Sequence, residues 1–267
     1  MKYIFIDVDG TIIDHKTNSI PKSTINTINE LYNNGHKLFI SSGRAKKILV
    51  TGVDIDYSGY VCSLGTDVYY DGEEVINEPF SDNEVKKITK IANKYDIKLS
   101  YECKDNGFSS EYLYDRVYKS EESSKVFQGN YKYWLKLDEY DNSPVYKMMA
   151  ETILDNKENF EKFNEEIKDV ADPYPSTFNN LCSEEVCHKG YSKGAAIKKL
   201  AELGIIDIKD TIAIGDSSND ISMLEVADIG IIMGQANDEL KSKADIIADD
   251  ITNDGFYKAF KALALVK

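Results

Sequence analysis

The chain has 267 residues, of which 42% are hydrophobic and 29% are charged, and its formal net charge is −14 at pH 7. This length and hydrophobic content exclude a disordered chain and predict one large core or two smaller ones. The negative charge argues against nucleic acid or an anionic membrane as the main partner, because both favour clustered Lys and Arg. A phosphorylated small molecule is still compatible as a substrate with the negative net charge, since a metal ion and one lysine reverse the charge locally.

The first third of the chain alternates predicted strands with predicted helices. Apolar residues recur at helical spacing over 21–34, where Pro21 suits the first turn and Gly35 suits the exit. A short helical stretch is expected from Arg44. Strands are expected at residues 3–6, 37–41 and 60–63, followed by a hairpin around Asp71-Gly72.

The pattern changes near Ser81 and returns to strand–helix alternation at Ser192. Between them the sequence predicts helices at 82–95 and 156–168 and strands near 99–103, 112–114, 146–150 and 177–187. After Ser192 it predicts a helix to Leu203, strands at 211–215, 229–233 and 245–248, and helices beginning at 219, 237 and 253. Such alternation implies a parallel sheet with helices on both faces. We therefore expect an α/β core over 1–81 and 188–267, with an inserted α+β domain over 82–187.

Two carboxylates stand at the end of the first predicted strand, in the segment Asp7-Val8-Asp9-Gly10-Thr11. Ligands bind just beyond the carboxyl ends of strands in open α/β sheets. The alternative is an Asp-Gly hairpin turn. Asp7, however, falls within the apolar stretch, where an unpaired carboxylate is unfavourable without a cation or hydrogen-bond donors. The pair can bind a cation, act as a nucleophile with an acid/base partner, or do both.

Three further segments carry polar groups at strand or helix ends. They are Ser41-Ser42-Gly43-Arg44, Ser192-Lys193-Gly194, and Gly215-Asp216 with Asn219-Asp220. Carboxylates, a hydroxyl and a lysine gathered in this way are suited to phosphoryl transfer. Taken singly, Ser42 would be assigned to a turn, Lys193 to a solvated helix start, and Asn219 and Asp220 to helix capping.

Taken in chain order, these residues resemble the four motifs of the haloacid dehalogenase superfamily of phosphohydrolases. The segment from Gly215 to Leu224 is similar to its Cof-like, type IIB branch. The resemblance spans nearly the whole chain. It implies a Rossmannoid core with a mobile cap inserted after the third strand. It also implies a Mg²⁺-dependent phosphatase that acts on a small phosphorylated metabolite, such as a sugar phosphate or a cofactor phosphate.

The resemblance implies a role for each acid. Asp7 would be the nucleophile that forms an aspartyl-phosphate, and Asp9 the general acid that later serves as the base. Asp7, the backbone carbonyl of Asp9, and Asp216 would hold the metal ion. Asp220 would orient Lys193 or bind at the metal site.

The remaining site residues would contact the phosphoryl group. Ser42 would donate its hydroxyl, and Lys193 would neutralise the charge of Asp7 and the phosphate. The other residues expected near the phosphate are Gly10, Thr11, Gly43, Arg44 and Asn219. One departure concerns the turn Ser63-Leu64-Gly65-Thr66, which keeps the glycine of the family's Asn-Gly-Ala-like turn but replaces the asparagine with Leu64.

Three alternatives stay open at the level of sequence. A phosphomutase or phosphotransferase would pass the phosphoryl group to a sugar rather than to water. A phospho-receiver module would be phosphorylated on aspartate without catalysis. A binding module that has lost activity would be expected to lose Asp7 or Asp9, and both are present. Both a monomer and a homodimer are compatible with the sequence.

The cysteines favour a reduced, cytoplasmic protein. Cys62, Cys103, Cys182 and Cys187 lack CxxC spacing, and neither a signal segment nor a run of 18 apolar residues is found. A zinc site formed by Cys182, Cys187 and His188 is an alternative with irregular spacing.

Overall fold

The computed structural model describes residues 1–49, 53–111, 114–115, 133–152, 156–176 and 182–267. The chain divides into two compact units. The first unit comprises Met1–Gly43, Leu49–Ile76 and Ser192–Lys267, and the second comprises Arg44–Ile48 and Asn77–Tyr191. The sequence predicts boundaries at 81/82 and 187/188 and assigns residues 44–48 to the core, whereas the structure assigns residues 44–48 to the second unit. No helix in the described ranges is long and apolar enough to cross a membrane.

The first unit contains an eight-stranded sheet with the order β14-β13-β12-β1-β2-β3-β4-β5. Its strands are β1 (Tyr3–Ile6), β2 (Lys37–Ser41), β3 (Gly59–Cys62), β4 (Asp67–Tyr70), β5 (Glu73–Asn77), β12 (Thr211–Gly215), β13 (Ile229–Ile232) and β14 (Ile246–Ile247). The strands from β14 to β3 are parallel, and β4 runs antiparallel to β3. The α/β fold class predicted from the alternation is confirmed.

The helices of the first unit are α1 (Lys22–Asn33), α4 (Lys193–Glu202), α5 (Ile221–Val226), α6 (Asp238–Lys241) and α7 (Gly255–Ala262). Pro21 is the N-cap of α1 and not part of its first turn, because its ψ of 139° is extended. Gly35 ends that helix with φ +81°, a value that glycine adopts without strain. The stretch expected to be helical from Arg44 forms only a 3-10 turn at Lys46–Ile48.

The core of the first unit lies around β1, which pairs with β2 on one side and β12 on the other. Ile4, Phe5 and Ile6 are fully buried. Burial of each such side chain contributes about 1.5–3 kcal/mol to folding. Because these strands are parallel, their carboxyl ends meet at one edge, so the residues that follow them come together there.

The second unit contains a six-stranded sheet with the order β10-β11-β9-β6-β7-β8. Its strands are β6 (Lys98–Glu102), β7 (Gly107–Ser109), β8 (Trp134–Lys136), β9 (Lys147–Thr152), β10 (Ala171–Ser176) and β11 (Cys182–His188). Two helices, α2 (Asp82–Lys94) and α3 (Lys157–Ile167), bury apolar residues such as Ile88 and Phe163 in the core cluster of this sheet. Ser81 and Glu84 form a capping box that starts α2.

The sequence did not predict β10, β7 or β8. Pro173 and Pro175 within β10 argue against a strand, because proline cannot donate to a ladder. They are tolerated because β10 lies at the edge of the sheet, where β11 is its one partner among the described strands. Residues 112–113 of one expected strand and 177–181 of another lie outside the described residues.

Candidate active site

Asp7 is the first residue beyond β1 and lies at the carboxyl edge of the sheet. Its backbone N–H donates to the carbonyl of Ile214 in β12 at 3.0 Å, which holds it against the neighbouring strand. The residue is 5% exposed. A carboxylate buried in this position needs a positive partner.

Lys193 supplies that partner from the first residue of α4. Its Nζ donates to Asp7 Oδ1 at 2.7 Å and to Asp220 Oδ1 at 2.6 Å, and the residue is 1% exposed. Burial alone would lower the pKa of Lys193, but the charges of Asp220 and Asp7 raise it above its ordinary value. Lys193 is therefore a buried cation held between two carboxylates, and not a solvated helix-start lysine.

Asp220 has hydrogen bonds at both side-chain oxygens. Oδ1 accepts from Lys193, while Oδ2 accepts from the backbone N–H of Asp216 at 3.0 Å and from the N–H and hydroxyl of Ser217 at 2.9 and 3.0 Å. Of the two roles expected for Asp220, this pattern supports the orientation of Lys193 over metal ligation.

Asp7 and Asp216 each retain an oxygen that is available for a ligand. Among the described residues, nothing donates a hydrogen bond to Asp7 Oδ2 or Asp216 Oδ1, although both atoms are buried. Oxygens of Asp7, Asp216 and Asp220 lie within 4.8 Å of one another. A divalent cation with a preference for hard oxygen ligands, such as Mg²⁺, fits these orphaned carboxylate oxygens.

The electrostatics of the cluster agree with a cation site. Burial, followed by the charge of Asp220, raises the pKa of Asp7 to about 7, although Lys193 lowers it. Burial and the charge of Asp7 raise the pKa of Asp216 to about 9. The charge of Asp9 contributes a smaller increase to both values, so Asp9 acts on the same cluster. One lysine does not balance these acids, and a metal ion would stabilise their charged forms.

Gly10 lies directly against Asp216. Its φ is +90°, and a Cβ on it would lie 2.1 Å from Asp216 Oδ2. Its N–H donates to the carbonyl of Ile13 at 2.8 Å, which closes the turn after Asp9. The glycine therefore permits both the turn and the close approach of the Asp216 carboxylate, which follows β12.

Gln235 belongs to this edge but was not predicted from the sequence. Its Nε2 donates to the carbonyl of Gly10, and its Oε1 accepts from the N–H of Ile251 at 3.1 Å. The signal that could have identified it is its place just after the predicted strand at 229–233, at the same edge as the other site residues.

The structure places the other phosphate-site candidates as follows. Ser42 follows β2, is 2% exposed, and donates its N–H to the carbonyl of Val61 at 2.8 Å. Asn219 Oδ1 accepts from the hydroxyl of Ser217 at 2.9 Å. Thr11 is fully buried, and its hydroxyl has no hydrogen-bond partner within the described ranges.

Gly43 and Arg44 stand at the division between the units. Gly43 is the last residue of its segment of the first unit, whereas Arg44 belongs to the second unit. There the charge of Arg44 lowers the pKa of Glu102, a smaller effect than the burial that raises it. The role of Arg44 at the phosphate stays a prediction.

The zinc alternative includes Cys182, whose side chain lies outside the described ones. Among the side chains that are described, Asp7, Asp216 and Asp220 form the only group able to hold a metal. Cys187 is a buried thiol. His188 stacks on Tyr191 with ring centroids 5.3 Å apart.

Comparison with known proteins decides the family. The family model described as haloacid dehalogenase-like hydrolase matches residues 4–260. The chain belongs to the haloacid dehalogenase-like hydrolase family. The resemblance read from the motifs is thus confirmed, and with it the prediction that the chain is an enzyme.

Relatives and solved structures cover the full length. The chain is 29% identical to "Putative phosphatase YkrA" of Bacillus subtilis over 100% of this chain and 99% of the relative. It is 26% identical to 5-amino-6-(5-phospho-D-ribitylamino)uracil phosphatase YcsE of the same organism, over 98% of this chain and 95% of that protein. A solved haloacid dehalogenase subclass IIB sugar phosphatase, BT4131, superposes with a TM-score of 0.82 at 25% identity and covers 100% of both chains.

Proposed function

We propose that this enzyme is a Mg²⁺-dependent phosphatase that hydrolyses a small phosphorylated metabolite through an aspartyl-phosphate on Asp7. The observation that carries the proposal is the state of the Asp7 carboxylate. One oxygen is held by a buried lysine, and the other is buried without a hydrogen bond from the described residues, in a cluster with Asp216.

The chemistry follows from the positions of these groups. An oxygen of Asp7 attacks phosphorus, the bond between phosphorus and the ester oxygen breaks, and Asp9 donates its proton to the leaving alcohol. Asp9, now a carboxylate, takes a proton from a water molecule whose oxygen attacks the same phosphorus. Inorganic phosphate leaves, and Asp7 is regenerated.

The other residues bind and orient. Lys193 and the hydroxyl of Ser42 neutralise and hold the phosphoryl oxygens, and Asp220 keeps Lys193 in place. Asp7, Asp216 and the carbonyl of Asp9 would hold Mg²⁺, which when bound supplies positive charge to the phosphoryl group.

The substrate class rests on the relatives. The proteins similar over the full length include a phosphatase named for 5-amino-6-(5-phospho-D-ribitylamino)uracil and a solved sugar phosphatase. A pyridoxal phosphate phosphatase, YbhA of Escherichia coli, is 40% identical over 70 residues, 26% of this chain. We therefore propose a sugar phosphate or a cofactor phosphate as substrate. The second unit would serve as a cap that selects among them, since the acidic cluster and Lys193 all belong to the first unit.

The test is a panel of phosphorylated metabolites assayed with the EDTA-dialysed protein and added Mg²⁺, with inorganic phosphate as the measured product. Asp7→Asn should abolish phosphate release, because an amide does not attack phosphorus. Asp210→Asn is the matched control, since Asp210 precedes β12 at the opposite edge of the same sheet.

Acid quenching of the wild type should trap a phosphorylated peptide containing Asp7. Substantial turnover by Asp7→Asn would overturn the nucleophile assignment. Transfer of the phosphoryl group to a sugar without release of phosphate would identify a phosphotransferase, and a stable phospho-Asp7 without turnover would identify a receiver.

A further inference from the structure

Three consecutive residues after β3 adopt left-handed backbone conformations. The φ angles are +48° for Ser63, +59° for Leu64 and +95° for Gly65. Leucine strongly disfavours this region because its Cβ approaches the following carbonyl. The turn is also buried, with Ser63 and Leu64 at most 2% exposed. Such strain persists only where the surrounding structure enforces it, and it concentrates at functional sites.

The turn contacts the strand end that presents Ser42. The N–H of Leu64 donates to the carbonyl of Ser42 at 3.3 Å. Ser42 in turn donates its own N–H to Val61, the residue two positions before the turn. The backbone of Ser42 is therefore held on both sides by β3 and the turn that follows it.

The same turn packs closely against the start of α4. A Cβ on Gly65 would lie 2.4 Å from the carbonyl oxygen and 3.0 Å from the carbonyl carbon of Ser192. Ser192 is the N-cap of α4, and its hydroxyl accepts from the N–H of Ala195 at 3.0 Å. Lys193 is the next residue, so any displacement of the Ser192 carbonyl moves the lysine.

We propose that the left-handed turn Ser63–Gly65 is a positioning element that sets the spacing between Ser42 and Lys193. The functional meaning of that spacing rests on the proposed function, in which both side chains hold the phosphoryl group. The turn reaches Ser42 through the N–H of Leu64 and approaches Ser192 through the backbone of Gly65, so it acts on both through backbone conformation.

Two matched pairs of variants test the proposal. Leu64→Val is ordinarily the milder change and Leu64→Gly the harsher one. Here the order should reverse, because a β-branched residue resists φ +59° and glycine accepts it. Gly65→Ala is paired with Gly72→Ala. Gly72 has a similar φ of +87°, but among the described residues no atom outside its immediate neighbours lies within 4 Å of its Cβ position.

The first readout is independent of activity. Lys193 is buried, whereas the side chain of Lys199 on the same helix is 55% exposed. Acetic anhydride labelling, followed by mass spectrometry of the peptides, should modify Lys199 and spare Lys193 in the wild type. Labelling of Lys193 should rise at least tenfold in Gly65→Ala and in Leu64→Val, and stay at the wild-type level in Gly72→Ala.

The second readout is binding of inorganic phosphate as a competitive inhibitor of aryl phosphate hydrolysis, measured well below each melting temperature. Gly65→Ala and Leu64→Val should weaken phosphate inhibition at least tenfold, and Leu64→Gly should lose less than Leu64→Val. A purely structural role would lower the melting temperature but leave the inhibition constant of the folded protein unchanged.

The outcomes separate the two claims. If the wild type shows no phosphatase activity but labelling of Lys193 still rises in the variants, the positioning role stands and the proposed function is rejected. Unchanged labelling in a folded Gly65→Ala, or a smaller loss in Leu64→Val than in Leu64→Gly, would overturn the positioning role. If Gly65→Ala does not fold, the Leu64 pair decides.

Discussion

Replacement of Lys193 with methionine should remove activity and destabilise the protein in a way that depends on pH. Methionine is similar in length to the lysine stem, so packing in the buried site is largely retained. The charge is lost, and Asp7 Oδ1 and Asp220 Oδ1 lose the donor that lies 2.7 and 2.6 Å away. Two buried carboxylates then face each other without a cation.

Removal of one partner from a buried ion pair destabilises a protein by about 3–5 kcal/mol, because the remaining charge is uncompensated. That is a large share of a total stability of about 5–15 kcal/mol. Protonation of the carboxylates reduces this destabilisation, because it removes their charge. In the metal-free wild type the pKa of Asp7 is already raised from 3.8 to about 7, and loss of Lys193 raises it further.

The sign of the pH dependence follows from these raised values. Between the ordinary and the raised pKa, the folded protein binds more protons than the unfolded chain, so its stability falls as pH rises. In Lys193→Met this window extends to higher pH. The difference from wild type should therefore be smaller near about pH 4, where the folded Asp7 carboxyl is protonated in both proteins, and grow toward about 3–5 kcal/mol above about pH 8.

Urea denaturation followed by circular dichroism, in EDTA at several pH values, measures this difference. Lys199→Met is the control, since Lys199 lies on the same helix at the surface, where its contact with Glu202 is 3.5 Å long. Its effect should be within about 0.5 kcal/mol at every pH. A destabilisation by Lys193→Met that is the same at low and high pH, or retention of wild-type turnover, would refute the reasoning.

Three further outcomes are expected. Phosphate release should vanish in EDTA and return with Mg²⁺. Ca²⁺ should inhibit it, because Ca²⁺ accepts more ligands and can be bound by both oxygens of Asp7. Full activity after metal removal would contradict the cation site. The metal-free protein should lose stability as pH rises from about 4 to 9, because Asp7 and Asp216 keep their protons in this range only when the protein is folded, and Mg²⁺ should reverse that loss. Urea unfolding with and without Mg²⁺ measures this change, and a flat pH profile in EDTA would argue against the raised pKa values. Excision of the second unit, with a short linker from about Ser81 to Lys189, should reduce turnover of the natural substrate more than that of a small aryl phosphate; equal losses in a protein that still melts cooperatively and binds Mg²⁺ would argue against a specificity cap.

The carboxylate cluster could be anticipated because its members end predicted elements of a parallel sheet. Asp7 and Asp216 each follow an apolar run, and parallel strands bring such ends together. Lys193 needed the motif context as well, since a lysine at a helix start is usually solvated. Its burial depends on long-range contacts with Asp7 and Asp220 that no local pattern contains.

The features that could not be predicted from the sequence all depend on contacts between residues far apart in the chain. β10 contains two prolines and is stable as a strand only because it lies at an edge. Leu64 adopts a conformation that its side chain resists, because the strand end at Ser42 and the helix start at Ser192 enclose the turn. Arg44 follows the second motif directly, yet it belongs to the other unit.

Gln235 offers a last test of how the site is assembled. Its amide joins the carbonyl of Gly10 to the N–H of Ile251, and Gly10 lies against the Asp216 carboxylate. Gln235→Leu removes both hydrogen bonds at similar volume. In Gln235→Glu the carboxylate still accepts from Ile251, but when ionised it cannot donate to the carbonyl of Gly10.

Both changes should loosen the turn that follows Asp9 and so weaken Mg²⁺ binding. One hydrogen bond contributes about 0.5–1.5 kcal/mol, and about 1.4 kcal/mol corresponds to a tenfold change in affinity. Isothermal titration of Mg²⁺ into the substrate-free protein should therefore show up to about tenfold weaker binding in each variant. Asn34→Leu is the control, because Asn34 also ties two loops of the first unit together, through the carbonyl of Leu265, without contact to the carboxylates. It should lower the melting temperature and leave Mg²⁺ affinity unchanged. If the Gln235 variants behave like Asn34→Leu, Gln235 stabilises the fold but does not position the cation site.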